Sequence, residues 1–327
     1  MRYNESMDIV TLTLNPCLDR TLWVGDFGMP PAREEWQTGG KGVNVARVLS
    51  ALGAKALAVC PLGGETGERF CALARMEGIE VLPVRAAAPT RTIDTWAREG
   101  DFAQKVDYRA GTPLCEAELD ALEKALFEAL EGARVLAVCG SAPGEAAARR
   151  VPGILRRAKE MGVTTVLDSN GAALLEGVKG RPDLLKPNER ELETLAGSGD
   201  PAAAWKLIEG GVGRVLVSLG AQGCCLVGAD AGGPAALLPL TLGARAEIYA
   251  PAPKVKTVNP VGSGDSLLAG YLYAALRGLP DEDALKFANA AGAANAAMFP
   301  AARVGWAQIA PLLGGMRDIF PQNGPNA

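Results

Sequence analysis

Val135-Leu-Ala-Val-Cys139, then residues 145–161, then Thr164-Thr-Val-Leu-Asp168 read in turn as strand, helix and strand. Two strands joined through a helix come out parallel, because a short hairpin cannot make that connection. The same alternation extends outward in both directions. Upstream lie strand Ile9–Leu14, helix Gly42–Leu52, strand Ala56–Cys60, helix Glu65–Glu77, strand Ile79–Val84 and helix Glu116–Glu131. Gly53 and Gly78 stand as stops after the first two helices. Downstream come strand Leu184–Lys186, helix Glu189–Leu195, helix 201–210, and strands Arg214–Ser218 and Cys224–Val227. A strand over 246–250 and helices over 265–277 and 281–297 complete the pattern. This rhythm predicts an α/β fold, a three-layer α/β/α sandwich around a mostly parallel sheet, with residues 1–327 in one domain.

Two segments break the rhythm, at about 17–37 and 91–109. In the second, Thr92–Arg98 and Ala103–Arg109 flank Gly100-Asp101, a hairpin turn signal. Both are expected to form a small β-sheet lid over the carboxyl edge of the main sheet, where open α/β sheets bind ligands. A peripheral hairpin without a role is the plainer alternative.

Composition narrows the function. The 327 residues carry a net charge of −4, and no helix shows a basic stripe, so no nucleic-acid partner is expected. No apolar run reaches the roughly 18 residues of a membrane span, and the polar start Met1–Asp8 lacks a signal-peptide core. The seven cysteines contain no C-x-x-C pair, which fits reduced thiols in the cytoplasm. There is no histidine at all. A Ser-His-Asp triad and a histidine-ligated metal are therefore excluded. Any general base must be Asp, Glu, Lys, Tyr or Cys.

The richest motif is Val258-Asn-Pro-Val-Gly-Ser-Gly-Asp265, which runs into an apolar helical stretch, Ser266–Leu276. A glycine turn at a helix start turns backbone N–H groups toward an anion. Asp265 in the first turn can take a proton from a hydroxyl. Together these are the parts a kinase needs to move a phosphoryl group onto an alcohol. Gly-Ser-Gly-Asp also occurs at 197–200. There Gly197 fits a helix C-cap, Asp200 an N-cap and Pro201 the first helical position, so punctuation explains it without chemistry.

Four further segments could join the first. Gly39-Gly40-Lys41-Gly42 opens a helix with Asn44 one turn in, and is either a natural place for a phosphate or a polar sugar or a flexible turn with a solvated lysine. It is not a Walker A loop, because Gly42 follows the lysine. Lys186-Pro187-Asn188 leads to Glu191; Asn188 and Glu191 are three apart and share a helical face. Such oxygen ligands suit Mg²⁺ through water, and equally form a capping box. The turn Ser218-Leu-Gly220-Ala-Gln-Gly223 either cradles nucleotide phosphates or simply reverses the chain. Asp19, at the end of the first strand in Asn15-Pro-Cys-Leu-Asp19, either hydrogen-bonds sugar hydroxyls or is an isolated surface carboxylate.

In this order the segments resemble the PfkB, or ribokinase-like, family of carbohydrate kinases, from Thr11 to about Gly305. The family's two signatures correspond to Gly39–Gly53 and Asn259–Gly270. Within it the wording is most similar to the phosphohexose kinases, the 1-phosphofructokinases, tagatose-6-phosphate kinases and minor 6-phosphofructokinases. The resemblance implies a ribokinase-like fold and ATP with Mg²⁺ as cofactors. It makes Asp265 the catalytic base and the amides of Gly262, Ser263 and Gly264 the anion hole. Asp19, Gly39, Gly40 and Asn44 would hold the sugar, and Lys41 and Arg91 its resident phosphate. Lys186, Asn188, Ser218, Gly220 and Gly223 would line the ATP site, with Glu191 placing Mg²⁺ through water. The lid of this family often pairs across a homodimer.

Some positions depart from the branch. Ile93 stands two residues after Arg91 where asparagine is usual, and Lys105-Val106 replaces a second phosphate-binding arginine. The segment before Gly39 is short and proline-rich, without the usual Asn-Arg pair. Asp168-Ser169-Asn170 replaces Asp-Ser-Ser. The expectation is thus an ATP-dependent kinase for a hydroxymethyl group of a ketohexose phosphate, of the fructose 1-phosphate or tagatose 6-phosphate type. Two readings stand beside it: a kinase for an unphosphorylated sugar or nucleoside, and a non-catalytic phosphosugar-binding regulator.

Overall fold

In the computed structural model, residues 7–229 and 246–314 are described; most of the Met1–Asp8 stretch lies outside them. The first third runs β1 (Ile9–Thr13), β2 (Cys17–Val24), β3 (Arg33–Gly39), α1 (Lys41–Ala51), β4 (Ala56–Leu62), α2 (Gly64–Met76), β5 (Glu80–Arg85), β6 (Arg91–Arg98) and β7 (Gln104–Asp107). Then follow α3 (Glu116–Ala129), β8 (Val135–Gly140), α4 (Glu145–Glu160), β9 (Thr164–Ser169), α5 (Gly171–Gly177), β10 (Leu184–Leu185), α6 (Glu189–Ala196) and α7 (Trp205–Glu209). The last third holds β11 (Arg214–Ser218), β12 (Gly223–Ala229), β13 (Ala246–Pro251), α8 (Ser263–Leu276) and α9 (Asp281–Ala296).

Nine of the strands form one sheet in the order β13-β12-β11-β10-β9-β8-β1-β4-β5. From β11 to β5 every pairing is parallel; β12 and β13 add antiparallel at one edge. The central strands β1, β4, β8 and β9 are buried along their whole length, as strands covered on both faces must be. One apolar layer joins α1, α2, α8 and α9 to the sheet, and the other joins α3, α4 and α6. The predicted sandwich is therefore the observed one. Strand order reverses at β1, whose neighbours are β4 on one side and β8 on the other. A crevice opens at the carboxyl ends of such a switch.

The four remaining strands make a second sheet, β3-β2-β6-β7. It is mixed: β2 pairs antiparallel with β3 and parallel with β6, while β6 and β7 form the hairpin expected around Gly100. Its strands leave the main sheet after β1 and after β5, both at carboxyl ends. β3 continues to Gly39, two residues beyond the expected boundary. Trp23 and Phe102 from this sheet meet Phe299, with ring centroids 4.5 Å and 5.6 Å from it.

Two local expectations need correction. Residues 201–210 do not form one helix: a 3₁₀ turn over Pro201–Ala204 precedes α7, because Asp200 caps it tightly by accepting from the Ala202 N–H. The short helix α5 was not anticipated; its seven residues, with glycine at both ends, give no helical period. The C-cap at Gly197, left-handed with φ 83°, and the N-cap at Asp200 are as expected.

α8 is buried on all sides, between α1 and α9. It packs closely because Gly270 faces Ala291 of α9, where a Cβ would come within 2.9 Å of the alanine methyl. α9 is anchored at its start: both carboxylate oxygens of Asp281 accept from Arg214 of β11, at 3.0 and 2.9 Å, and the Tyr271 hydroxyl reaches Asp281 at 3.2 Å. Asp281 also lies where the helix dipole favours an anion. Removing one partner of a buried pair strands the other's charge. Asp281→Ala is expected to lower unfolding free energy by about 3–5 kcal/mol in urea titration; a loss below about 1 kcal/mol, the scale of an exposed pair, would contradict this role.

Candidate active site

A cavity of about 1500 Å³ lies between the carboxyl edge of the main sheet and the second sheet. Its floor comes from the switch point, through Thr13, Asn15, Gly140 and Ser141. Asp19, Thr21, Gln37, Arg91, Ile93 and Val106 of the second sheet form its roof. Segments far apart in sequence converge here, each placed by the end of a strand or the start of a helix.

Asp265 stands in the first turn of α8 and is 6% exposed. Gly262 caps that helix with φ 83°, a conformation that favours glycine. The turn is tied down from both sides. Asn259 accepts from the Val261 N–H at 3.1 Å and donates to the Phe299 carbonyl at 2.7 Å. Asn295 donates to the Val261 carbonyl at 2.8 Å and the Ser263 hydroxyl at 3.0 Å. The Ser263 N–H, expected in the anion hole, donates to the Pro260 carbonyl at 3.2 Å. Among the described residues no acceptor is bonded to the N–H groups of Gly262, Gly264 or Asp265, and these residues line the cavity. The Gly264 and Asp265 amides beside Gly262 are therefore the unpartnered donors at this turn.

Charged groups surround Asp265. Asp168, wholly buried at the end of β9, lies 3.0 Å from Lys41 Nζ and 3.2 Å from Lys186 Nζ. Lys186 also comes close under Gly264, whose added Cβ would be 3.5 Å from its Nζ. Burial pushes the Asp168 carboxyl up, but Lys186 and Lys41 outweigh it and hold the pKa below its ordinary value. Burial weighs against charge on Lys41, yet the carboxylates of Asp168, Asp265 and Glu191 raise its pKa overall. For Asp265, burial dominates and raises the pKa; Lys41 opposes this and Asp168 adds to it. The Asn44 side-chain N–H donates to Asp265 Oδ2 at 2.8 Å.

The structure gives each remaining expected residue a definite position. Asp19 points into the cavity from β2 and bonds the Cys17 thiol at 3.3 Å; burial raises its pKa. Gly39 must lack a side chain, because a Cβ would fall 2.4 Å from the Asp19 carboxylate. Gly40 and Asn44 line the same wall. Arg91 donates to the carbonyls of Asn15, Pro16 and Arg109 at 3.0, 3.4 and 2.9 Å, and no carboxylate is paired with it among the described residues. Lys41, in contrast, is engaged by Asp168 while still lining the cavity. Ser218, Gly220 and Gly223 border the cavity's far end.

Asn188 and Glu191 realise the capping box: Asn188 Oδ1 accepts from the Glu191 N–H and Glu191 Oε2 from the Asn188 N–H, both at 2.9 Å. Both still line the cavity. Sequence reasoning missed Asp168 as a partner of two lysines, and missed Arg47 and Glu77 altogether. Pairings across 127 residues leave no local signal.

A parallel sheet with a switch-point cavity, a glycine turn at a helix start and an adjacent buried carboxylate define a phosphoryl-transfer scaffold. The chain belongs to the pfkB family of carbohydrate kinases, whose model matches residues 1–299. It is 29% identical to a 1-phosphofructokinase of Vibrio cholerae, over 87% of this chain and 88% of that one. It is 32% identical to a tagatose-6-phosphate kinase of Staphylococcus epidermidis, over 88% and 92%. The crystal structure of phosphofructokinase-2 from Escherichia coli in complex with potassium superposes with a TM-score of 0.82 at 28% identity, covering 94% of this chain and 98% of that one.

The depressed pKa of Asp168 fixes a sign. A carboxyl held below its unfolded value, about 3.9, stabilises the fold above that pH and stops doing so as pH falls through the folded value. Unfolding free energy should therefore fall more steeply from about pH 5 to about pH 3 in the natural chain than in Asp168→Asn. Equal slopes in urea titrations at the two pH values would show that Asp168 is not held by the lysines.

Proposed function

We propose that this chain transfers the γ-phosphoryl group of ATP to a hydroxymethyl group of a ketohexose phosphate, of the fructose 1-phosphate or tagatose 6-phosphate type. One observation carries the proposal: Asp265 is a buried carboxylate, held by Asn44, at a helix start whose unpartnered amides face the same cavity. The names of the relatives, phosphofructokinases and tagatose-6-phosphate kinases, support the acceptor class.

In the reaction the acceptor's hydroxyl oxygen attacks the γ-phosphorus as its proton passes to an Asp265 carboxylate oxygen. The new O–P bond forms while the bond to the ADP oxygen breaks, and ADP departs with that electron pair. Burial makes Asp265 a stronger proton acceptor than an exposed carboxylate. The Gly264 and Asp265 amides, with Lys41 and Lys186, stabilise the negative charge on the transferred group. Lys41 thus serves the transferred phosphoryl, and Arg91 the phosphate already on the sugar. Asp19 and Asn44 orient hydroxyls, and the second sheet serves as the lid that excludes water.

ATP fits the end of the cavity near Ser218, Gly220 and Gly223, beside Lys186 and Asn188. Mg²⁺ keeps most of its waters and needs few protein oxygens, and the Asn188 and Glu191 side chains that line the cavity are of that kind. Glu191 and Asn188 would hold it through water, and the ion would neutralise phosphate charge. A homodimer through the lid and a cytoplasmic setting complete the proposal; the described cysteines are free thiols, and no described helix is long and apolar enough to cross a membrane. One feature favours a second reading, an unphosphorylated sugar or nucleoside as acceptor: Ile93 and Val106 make part of the roof apolar.

ADP release with a panel of phosphorylated and free sugars decides between these readings, and binding without ADP release would indicate a regulator instead. Asp265→Asn is expected to lower kcat by about 10²–10⁴-fold with the fold retained, while Asp200→Asn leaves kcat unchanged; turnover near that of the natural chain in the first variant sinks the assignment. Arg91→Met should raise KM for a phosphosugar far more than for its free sugar. An equal effect on both acceptors would support the second reading.

A further inference from the structure

Behind the candidate base lies a chain of polar groups that the reaction as described does not use. Arg47 is one turn along α1 from Asn44, on the same face, and is 5% exposed. Its Nη1 donates to Asn44 Oδ1 at 2.6 Å. Its other nitrogens reach the Thr38 carbonyl, the Thr38 hydroxyl at 2.7 Å and Glu77 Oε2 at 3.1 Å. Glu77 closes the second turn of the network from the end of α2, and its side chain is 6% exposed. It also accepts from the Thr38 N–H at 3.2 Å, the Thr38 hydroxyl at 2.5 Å and Arg303 at 3.1 Å.

The chemistry of the two ends sets the amide between them. A guanidinium has only donors and an ionised carboxylate only acceptors. An amide placed between Arg47 and Asp265 therefore has one good orientation, oxygen toward Arg47 and nitrogen toward Asp265. Turned over, it would set its oxygen against a carboxylate and its N–H against a cation. Glu77 in turn keeps the buried Arg47 charge compensated and fixes its fork.

We propose that Arg47, held by Glu77, is a positioning residue that locks the Asn44 amide so that its N–H group faces Asp265. Arg47 touches neither substrate nor phosphate and acts through Asn44. Because Thr38 is the penultimate residue of the second sheet's strand β3, the same network ties that sheet to the base. The inference rests on the reading of Asp265 as the base. The other charged groups facing Asp265, namely Lys41, Asp168 and Lys186, do not contact Arg47 and stay in place in the variants below.

The test is a double-mutant cycle on kcat for ADP release with Arg47→Met, Asn44→Ala and the double variant. Arg47→Met is expected to lose about 10²-fold in kcat, the scale of a small misplacement at a reacting centre, with KM for ATP unchanged. In the Asn44→Ala background the same substitution should cost nothing further. Equal losses in both backgrounds overturn the proposal, because a purely structural arginine would act independently of Asn44. If Arg47→Met fails to fold because Glu77 loses its buried partner and keeps only Arg303, Arg47→Met with Glu77→Leu removes the buried pair and takes its place in the cycle. Absence of ADP release from the natural chain with every acceptor would overturn the kinase reading rather than this one. The Asn44 amide in crystals of the Arg47→Met protein then decides: a side chain turned away from Asp265 supports the proposal, and one unmoved at hydrogen-bond distance overturns it.

Discussion

The site depends on one buried carboxylate that holds two lysines from separate segments of the chain. Asp168 meets Lys41, from the helix after the second sheet's first half, and Lys186, from the strand end that leads to Asn188. Neither lysine could rest beside a helix start and a cavity floor without a counter-charge. With Asp265, the set holds two cations and two anions. The charge is balanced before a ligand arrives, and both cations stay close to the unpartnered amides at Gly264 and Asp265. In the proposed reaction an anionic phosphoryl group entering there meets donors already oriented, with no need for the protein to reorganise.

This balance separates two tasks that the sequence left joined. Lys41 and Arg91 looked alike as candidates for a sugar's phosphate. In the structure Lys41 has a buried carboxylate partner, while Arg91 is fixed by three backbone carbonyls and has no carboxylate partner among the described residues. Position in the fold makes the distinction: α1 points its first turn at β9, whereas β6 carries Arg91 into the roof. The apolar side chains of Ile93 and Val106 line the roof with it, so in the proposed reaction the sugar's own phosphate is assigned to Arg91.

Much of the fold was legible because its period is local. Apolar runs such as Val135–Cys139 and helices ended by glycine need no distant information. The capping of the 197–200 segment was readable for the same reason, and it left the copy at 262–265 as the one with chemistry. Near the site the legible part was equally local: a glycine turn, a helix and an aspartate. What escaped notice was pairing across the chain. Arg47 reads as one more residue of an amphipathic helix, and Glu77 as a surface residue at a helix end, until β3 folds over both. The committed Ser263 amide was hidden as well, since only the turn's closure onto Pro260 reveals it.

The most direct test of the account is a crystal structure of the chain with ADP, Mg²⁺, aluminium fluoride and the accepted sugar phosphate. The fluoride group, standing for the transferred phosphoryl, should lie against the Gly264 and Asp265 amides. The attacking oxygen should lie within about 2.6–3.2 Å of the Asp265 carboxylate, with Lys41 and Lys186 flanking the group. A fluoride group bound away from that turn, or an acceptor oxygen beyond reach of Asp265, would contradict the account.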